Sequence, residues 1–367
     1  MLNLNNTHFS PECLTISLGS ECNLNCLYCY SEKNSVEEKN NLNENEFLAC
    51  ILKAAGIVAS NCKAKNIPFF LGFQGSGEPL IYFKMLKNVF ELISAMAQKN
   101  NLKLFSFITS NGCMEAHKYS WVAKNFSRIC LSLDGCQEIN DIQRRAKNNT
   151  STYNRILDTI NILRQNQKIP VIRTTVTRYN VDSLVPIVNH FINDLELSEI
   201  QMEPVYLVGQ NGILPPSPDA FVENYMEAKR LAIKSGGRLS YSGYRKNEKH
   251  GRYCNINKNV LFIGPNGNAS ICLFKDSEKK ESPYVIGYYD GKDNQFVIDH
   301  DRILRLKETA DRLYQDCENC EIEDSCVKGC PDICVFENES NYAIQESFRC
   351  RINRLLYQKE MQYGKYS

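Results

Sequence analysis

The sequence has little histidine, little tryptophan and almost no net charge. Its 367 residues include 5 His and 1 Trp, and 43 Lys and Arg against 42 Asp and Glu leave a net charge of +1. A basic surface of the kind that binds nucleic acid is not expected from this balance. Apolar runs such as 67–73 are too short to cross a bilayer, and the N-terminus lacks signal-peptide features. We therefore expect a cytoplasmic protein without nucleic-acid or membrane partners.

Cysteine, in contrast, is abundant, with 17 residues. Disulfides are rare in reducing compartments, so clustered cysteines there indicate metal binding. Three cysteines lie between positions 22 and 29, seven lie between 254 and 334, and Cys350 follows alone. The other six are scattered and are predicted to be small hydrophobic residues of the core: Cys13, Cys50, Cys62, Cys113, Cys130 and Cys136.

From residue 14 to about 206, short β-type runs alternate with helical patterns. Strands are predicted at 14–18, 68–73, 104–109, 128–133, 170–177 and 199–206, and helices at 44–59, 83–98, 115–125, 152–165 and 181–195. Pro186 indicates that the last helix begins later than its apolar pattern does. The alternation implies parallel strands joined by right-handed crossovers, and six strands fit a partial TIM-type (β/α)6 barrel with its active site at their carboxyl ends.

Three parts of an α/β chain are predicted: the barrel over 1–208, a linker with a bridging helix over 209–253, and a small cysteine-rich domain over 254–367. The bridging helix is placed at 218–234. Ser217 is its predicted N-cap, with Pro218 at the first helical position, where a missing N–H costs nothing.

The first cysteine group has the spacing Cys22-x3-Cys26-x2-Cys29. Three thiolates so close together can each bind one iron of a cubane and leave the fourth iron open for a substrate. A zinc site, the alternative, would need a further Cys or His. With Tyr28 before the last cysteine, the group resembles the radical S-adenosylmethionine superfamily. The resemblance implies a [4Fe–4S] cluster chelated by the methionine amine and carboxylate, with Tyr28 against the adenine.

Further resemblances follow at the ends of the predicted strands. The stretch Gly75-Ser76-Gly77-Glu78-Pro79 is similar to the Gly-Gly-Glu-Pro element of the superfamily, which implies that it binds the methionine amine; Ser76 replaces the first glycine. An ordinary β-turn is the alternative. Ser132 is similar to a cosubstrate contact, and Arg144 to the arginine that pairs with the methionine carboxylate. For both, turn chemistry or a solvated charge is the alternative.

The C-terminal cysteines resemble the SPASM extension of this superfamily. The resemblance implies two auxiliary [4Fe–4S] clusters, with Asn266-Gly267 in a hairpin turn before Cys272. A zinc-ribbon-like fold is the alternative. Cys334 is an additional cysteine, and our hypothesis is that it supplies a missing fourth ligand to auxiliary cluster I. The other implied ligands are Cys254, Cys272 and Cys330 for cluster I, and Cys317, Cys320, Cys326 and Cys350 for cluster II.

The resemblance implies an anaerobic enzyme that generates a 5′-deoxyadenosyl radical, with a low-potential donor of flavodoxin or ferredoxin type. SPASM relatives mostly modify peptides or proteins, so thioether or carbon–carbon cross-linking of a ribosomal peptide is expected. Only 21 residues precede Cys22, so leader-peptide recognition would fall to a separate binding protein or to another surface of this chain.

Two other functions stay open. The sequence resembles the anaerobic sulfatase-maturing enzymes along its length, which would imply formylglycine formation from Cys or Ser. Those enzymes carry an aspartate where this chain has Leu273, so Glu203 and Asp276 are the candidate bases here. An iron–sulfur electron carrier without radical chemistry is the alternative from a different class.

Overall fold

A computed structural model describes most of the chain, namely residues 9–31, 41–148, 150–206, 213–246, 258–272, 284–328 and 347–363. Cys254, Asp276, Cys330 and Cys334 lie outside these ranges, so their predicted roles are not addressed by the structure.

Strands β1 to β7 are parallel neighbours in chain order, and the whole sheet has 11 strands in the order β11-β10-β9-β8-β1-β2-β3-β4-β5-β6-β7. The prediction of an α/β fold with six successive parallel strands is confirmed. These seven strands are β1 (Cys13–Ile16), β2 (Phe69–Phe73), β3 (Leu104–Ser110), β4 (Arg128–Ser132), β5 (Val171–Val176), β6 (Glu199–Pro204) and β7 (Arg238–Ser240).

The helices connect successive strands and cover the outside of the sheet, where alternate strand residues such as Leu14, Leu71 and Ile172 are fully buried. Most begin and end within a residue or two of their predicted bounds. They are α1 (Glu44–Lys65), α2 (Phe83–Lys99), α3 (Ala116–Asn125), α4 (Gln137–Gln143), α5 (Thr152–Gln165), α6 (Leu184–Asn189) and α7 (Pro218–Lys234).

Helix α1 is longer than predicted because it is capped at both ends. Asn43 and Glu46 form a capping box at its start, and Asn66 ends it in the left-handed conformation. Its length and composition would allow it to cross a membrane, with a mean hydropathy of 1.4 in its best window. It packs instead against β1, β2 and α2, as a core helix does.

The prediction from Pro186 is confirmed: α6 begins at Leu184, later than its apolar pattern, because a residue without an N–H is tolerated only in the first helical turn. Two features differ from the prediction. Helix α4 was not predicted. Strand β7 lies in the stretch predicted as a linker and pairs with β6, so the parallel sheet continues past the sixth strand.

Side chains from neighbouring strands lie at the amino-terminal end of the barrel. The Phe70 and Phe105 rings lie 5.5 Å apart, and Arg128 pairs with Glu199 at 2.5 Å. Gly72 leaves room for the ring of Phe107, because a Cβ there would come within 2.2 Å of the ring. Phe70 is still 37% exposed, so these side chains fill this end only in part.

The C-terminal part extends the same sheet from the other side of β1. Strand β8 (Val260–Ile263) pairs in parallel with β1. The turn containing Gly267, at φ +78°, leads into antiparallel β9 (Asn268–Ser270), which confirms the predicted hairpin. The remaining elements are β10 (Val285–Asp290), β11 (Gln295–Ile298), α8 (His300–Tyr314) and α9 (Phe348–Tyr363), and α9 packs on α7.

Gly72→Ala should destabilise the barrel by about 1–3 kcal/mol, because the new methyl group displaces the Phe107 ring. Urea denaturation of the reconstituted protein measures this. Gly56→Ala is the matched control: nothing lies within 4 Å of a Cβ at Gly56, in the middle of α1. That change should stabilise the protein by about 0.5–1 kcal/mol. Equal effects of the two variants would contradict the packing described here.

Candidate active site

The loop after β1 brings Cys22, Cys26 and Cys29 together at the carboxyl end of the barrel. The pKa of the Cys26 thiol is raised to about 11, mainly by burial, although the positive charge of Arg144 lowers it. The charges of Cys29 and Cys22 also raise this pKa, which shows that the three sulfurs are neighbours. Within the described ranges, no three His, Cys, Asp or Glu side chains are close enough to hold one metal ion. Three neighbouring thiols fit a cluster in which each sulfur binds a different iron.

A second segment holds the cysteine loop from one side. The Asn25 amide donates to the Arg145 carbonyl at 2.7 Å, and the Leu27 amide donates to the Gln143 carbonyl at 2.8 Å. Leu24 and Ala146 form an antiparallel bridge next to the first of these bonds, and the Lys147 amide donates to the Asn23 carbonyl at 3.3 Å on the other side of the bridge. We call residues 143–147 the strap. It pairs with the loop as a short β-ladder, so the backbone between the cysteines is fixed by the chain that follows α4.

Tyr28 joins a buried cation to a buried anion. Its hydroxyl donates to Asp134 Oδ2 at 2.6 Å and accepts from Arg144 Nη1 at 2.5 Å. Asp134 is fully buried and also accepts from Gln143 Nε2 and the Thr175 amide, at 3.1 and 3.0 Å. Burial raises the pKa of Asp134, and Arg144 opposes this. The three side chains therefore form one charge-balanced unit beneath the cysteine loop.

This arrangement bears on two predicted roles. Arg144 is buried beside Cys26, in the strap, and its Nη1 is engaged by Tyr28. Tyr28 likewise has its hydroxyl turned into the protein, which leaves its ring as the part available to a ligand. Pairing of Arg144 with a methionine carboxylate and stacking of Tyr28 on adenine stay predictions.

Glu78 ties the second strand end to the third. It is 2% exposed, and its carboxylate accepts from the Leu80 amide, the Ser110 hydroxyl and the Asn111 amide at 3.2, 2.9 and 2.7 Å. Burial raises its pKa, and these hydrogen bonds lower it. Its Oε2 takes one of the three bonds, so the oxygen keeps acceptor capacity for the predicted ammonium contact.

Gly77 lets the same turn approach the cysteine loop. It has a φ of +73°, and a Cβ there would come within 2.6 Å of the carbonyl oxygens of Gly19 and Glu21. The Glu78 amide donates to the Glu21 carbonyl at 2.8 Å. Ser76, which replaces the glycine expected from the resemblance, is half-buried, and its carbonyl accepts from the Ser17 hydroxyl. The turn that also includes Gly75 and Pro79 is therefore built against the first strand.

Ser132, Arg173 and Gln201 occupy matching positions on β4, β5 and β6. They lie on the lumen side, since the alternate residues Leu131, Ile172 and Ile200 are fully or nearly fully buried against the helices. Arg173 was not singled out from the sequence, because a lone arginine in a β-type run gives no signal of its own.

Glu203, one of the two candidate bases, lies two residues beyond Gln201 in the lumen. Its Oε1 accepts from Gln201 Nε2 and from the Ser242 amide, both at 2.8 Å, and its Oε2 accepts from the Ser242 hydroxyl at 2.9 Å. Both carboxylate oxygens are therefore occupied by donors of the chain itself. This geometry favours a structural role for Glu203.

The C-terminal cysteines form a second group. The pKa of Cys350, on α9, is raised to about 12, mainly by burial, although Arg354 lowers it. The charges of three further cysteines also raise this pKa, so all four sulfurs are neighbours: Cys350, Cys326, Cys317 and Cys320. Cys326 Sγ accepts from the Lys328 amide and Asn353 Nδ2 at 3.2 and 3.1 Å. These are the four residues expected to bind auxiliary cluster II, although their ligation of iron stays a prediction.

Cys272 lies close to Tyr30 of the first cysteine loop. Burial raises the pKa of Tyr30, and the charges of Cys29 and Cys272 raise it further, so both sulfurs lie near this side chain.

Of the six scattered cysteines, Cys50, Cys62 and Cys113 are buried as expected. The other three, Cys13, Cys130 and Cys136, are half-buried.

Tyr28→Phe should lower the free energy of unfolding by about 1–3 kcal/mol, because Asp134 and Arg144 each lose a buried hydrogen-bond partner. Tyr30→Phe is the matched control in the same loop. It loses one bond, to the Gly75 carbonyl at 3.1 Å, and should cost about 1 kcal/mol or less. Chemical denaturation compares them, and a cost for Tyr30→Phe as large as that for Tyr28→Phe would contradict the unit described above.

Iron analysis tests the second group. Cys350→Ala should remove one cluster's iron from the anaerobically reconstituted protein, and Cys334→Ala should do so if Cys334 completes auxiliary cluster I. Cys50→Ala, a buried core cysteine, should leave the iron content unchanged. Full iron content and an unaltered spectrum in Cys350→Ala would exclude ligation by this group, and the same result in Cys334→Ala would exclude that residue.

Comparisons with known proteins agree with this geometry. Native anSMEcpe with bound AdoMet has the same fold, with a TM-score of 0.71 at 17% identity over 96% of this chain and 98% of that chain. Streptococcus suis SuiB bound to S-adenosylmethionine superposes with a TM-score of 0.59 at 13% identity, over 92% of this chain and 75% of SuiB. An uncharacterised protein of Methanocaldococcus jannaschii is 25% identical over 265 residues, covering 71% of this chain and 84% of that protein.

The model of the Radical SAM superfamily matches residues 16–190, which include the cysteine loop, the Glu78 turn, Asp134 and the strap. These are the residues that the structure gathers at the carboxyl ends of β1 to β5. Such a domain implies a [4Fe–4S] cluster that binds S-adenosylmethionine. Ligation of that cluster by Cys22, Cys26 and Cys29 stays a prediction. The chain therefore contains a radical SAM domain.

Proposed function

We propose that the chain is a radical SAM enzyme of the SPASM type that oxidatively modifies a peptide or protein. The observation that carries this proposal is the presence of two separate groups of cysteines in one chain. One lies in the radical SAM domain, and the other, Cys317, Cys320, Cys326 and Cys350, lies beyond it. An enzyme that cleaved AdoMet without oxidising its substrate would have no evident use for the second group.

The residues of the two groups fit iron–sulfur clusters. When bound, such clusters supply electron transfer: one delivers the electron that cleaves AdoMet to a 5′-deoxyadenosyl radical, and the auxiliary ones accept the electron that the substrate loses. The chain orients the reactants. The strap fixes the backbone of the cysteine loop, and Glu78 holds two strand ends together.

A peptide substrate is supported by what similar structures hold. The anSMEcpe fold has been solved with bound AdoMet and the Cp18Cys peptide, at a TM-score of 0.69 over 97% of this chain. SuiB has been solved with its precursor peptide SuiA, at a TM-score of 0.51 over 74% of this chain. We infer a peptide substrate here as well, with cross-linking as the leading reaction. Leu273, which cannot accept a proton, weighs against formylglycine formation.

The test is anaerobic incubation of the reduced, reconstituted protein with AdoMet, followed by chromatography for 5′-deoxyadenosine. Wild type should form it, and Cys22→Ala, Cys26→Ala and Cys29→Ala should each reduce it to background. Cys317→Ala should still cleave AdoMet, and Cys62→Ala, a buried core cysteine, should match wild type. No 5′-deoxyadenosine from wild type would leave an electron-transfer protein as the better assignment.

Mass spectrometry of peptides encoded beside the gene then separates the two modifications. A cross-link removes two hydrogens from the peptide. Formylglycine formation from cysteine instead replaces the thiol by an aldehyde oxygen. Formylglycine formation from serine also removes two hydrogens, so the product is treated with a hydrazide that labels aldehydes. Loss of two hydrogens without labelling supports the leading reaction, and a labelled aldehyde supports the alternative.

A further inference from the structure

Cys326 is the buried member of the second cysteine group, whose other three members are half-buried. Its backbone is held by the segment that follows β7. Tyr244 and Cys326 form an antiparallel bridge, and the Val327 amide donates to the Gly243 carbonyl at 3.2 Å. The position of Cys326 is therefore fixed by the end of the parallel sheet, and the groups around its sulfur are defined.

Two N–H groups donate to the Cys326 sulfur. One is the Lys328 amide, at 3.2 Å, in the turn that follows the cysteine. The other is Asn353 Nδ2, at 3.1 Å. Asn353 lies on α9, three residues after Cys350, so one helix carries a predicted cluster ligand and a donor to another ligand. The backbone supplies the first donor whatever side chain stands at 328, whereas the second depends on residue 353 alone.

The Asn353 side chain is buried with one polar atom unsatisfied. The residue is 1% exposed, and within the described part of the chain its Oδ1 makes no hydrogen bond. A buried acceptor without a donor destabilises the fold, and a leucine of similar size would carry no such atom. Gly243 leaves room for the amide, because a Cβ there would come within 2.7 Å of Oδ1. The amide is therefore retained for its N–H group, which is directed at sulfur.

Hydrogen bonds to a ligand sulfur favour the reduced form of an iron–sulfur cluster. Reduction by one electron adds a negative charge to the cluster and its thiolates, and N–H donors stabilise that charge. The effect of each donor is larger in a buried site, where little water screens it. A donor on Cys326 therefore raises the reduction potential of a cluster bound there.

We propose that Asn353 is a positioning residue that raises the reduction potential of auxiliary cluster II through its hydrogen bond to Cys326. A higher potential makes this cluster a better acceptor for the electron that the substrate loses on oxidation. The proposal rests on the proposed function, because it assumes that Cys326 and the three neighbouring cysteines bind a cluster.

Redox titration followed by electron paramagnetic resonance tests this on the anaerobically reconstituted full chain. The signal that Cys350→Ala lacks belongs to cluster II. In Asn353→Leu and in Asn353→Ala, the equilibrium constant for reducing this cluster should fall about threefold to tenfold, which is about 30–60 mV for a one-electron couple. Full iron content with wild-type midpoint potentials in both variants would overturn the proposal.

Leu356→Ala is the matched control on the same helix. Leu356 is 2% exposed, so its truncation leaves a cavity and loosens α9 without removing a donor. The melting temperature of this variant should fall while the midpoint potential of cluster II stays at the wild-type value. An equal potential shift in Leu356→Ala and Asn353→Leu would assign the effect to helix packing and contradict the role of Asn353.

A measurement on the wild type does not depend on how the variants fold. The protein is labelled with ¹⁵N in its asparagine side-chain amides only, and electron spin echo modulation is recorded on the reduced cluster II signal. A ¹⁵N coupling is expected, because Asn353 Nδ2 lies 3.1 Å from the Cys326 sulfur. Its absence would overturn the proposal.

The outcomes separate this inference from the proposed function. If Cys350→Ala lacks no signal, the second cysteine group holds no cluster and both fail. If the signal is present but its potential does not depend on residue 353, only this inference fails. The titration needs no cleavage of AdoMet. A protein without radical activity whose potential depends on Asn353 would therefore contradict the proposed reaction and leave this inference standing.

Discussion

The hydroxyl of Tyr28 stands between a buried guanidinium and a buried carboxylate, and the arrangement of the site depends on that contact. Arg144 belongs to the strap, Asp134 follows β4, and Tyr28 belongs to the cysteine loop. Three segments that are distant in the chain are thus joined at one oxygen. Because a charge left unpaired in the interior is penalised heavily, each segment is restricted to the position that keeps the other two satisfied. Because Tyr28 belongs to the cysteine loop, this restriction also fixes the positions of the cysteines.

Hydrogen bonds from Glu78 add a second constraint of the same kind. Its carboxylate joins the turn after β2 to the turn after β3, and the amide of the same residue binds the cysteine loop. The ends of β1, β2, β3 and β4 are therefore linked through buried polar groups rather than through apolar packing. Such networks have few alternative geometries, which suits a site that must hold a reactive ligand away from water.

Much of the scaffold was predictable because local signals agree with the final fold. Helix α5 begins and ends where its apolar spacing and its Ser151 N-cap place it, and α7 does so through Ser217 and Pro218. The cysteine loop and the Glu78 turn were predictable from the resemblance of their motifs to those of the radical SAM superfamily. Strand β7 was not, since three residues with one buried side chain carry too little pattern to distinguish a strand from a loop.

The site's long-range contacts could not be derived in the same way. The strap has no alternating pattern, and its pairing with residues 24–27 spans more than a hundred positions. Asp134 looks like an ordinary turn residue in Ser132-Leu133-Asp134-Gly135 until its partners are known. Arg173 becomes informative only when the register shows which residues stand beside it. Residue type alone does not show which side chains are neighbours, because these contacts depend on the pairing of segments that are distant in the chain.

The parallel pairing of β1 with β8 has a consequence for the way the chain is made. Residues 13–16 and 260–263 are neighbours in the sheet, yet almost the whole parallel barrel lies between them in sequence. During synthesis, the first strand can pair with β2 on one side while its other edge stays bare until residue 263 has left the ribosome. An unpaired edge is where strands of other chains attach. The early part of this chain is thus most exposed to misassembly before its last third arrives.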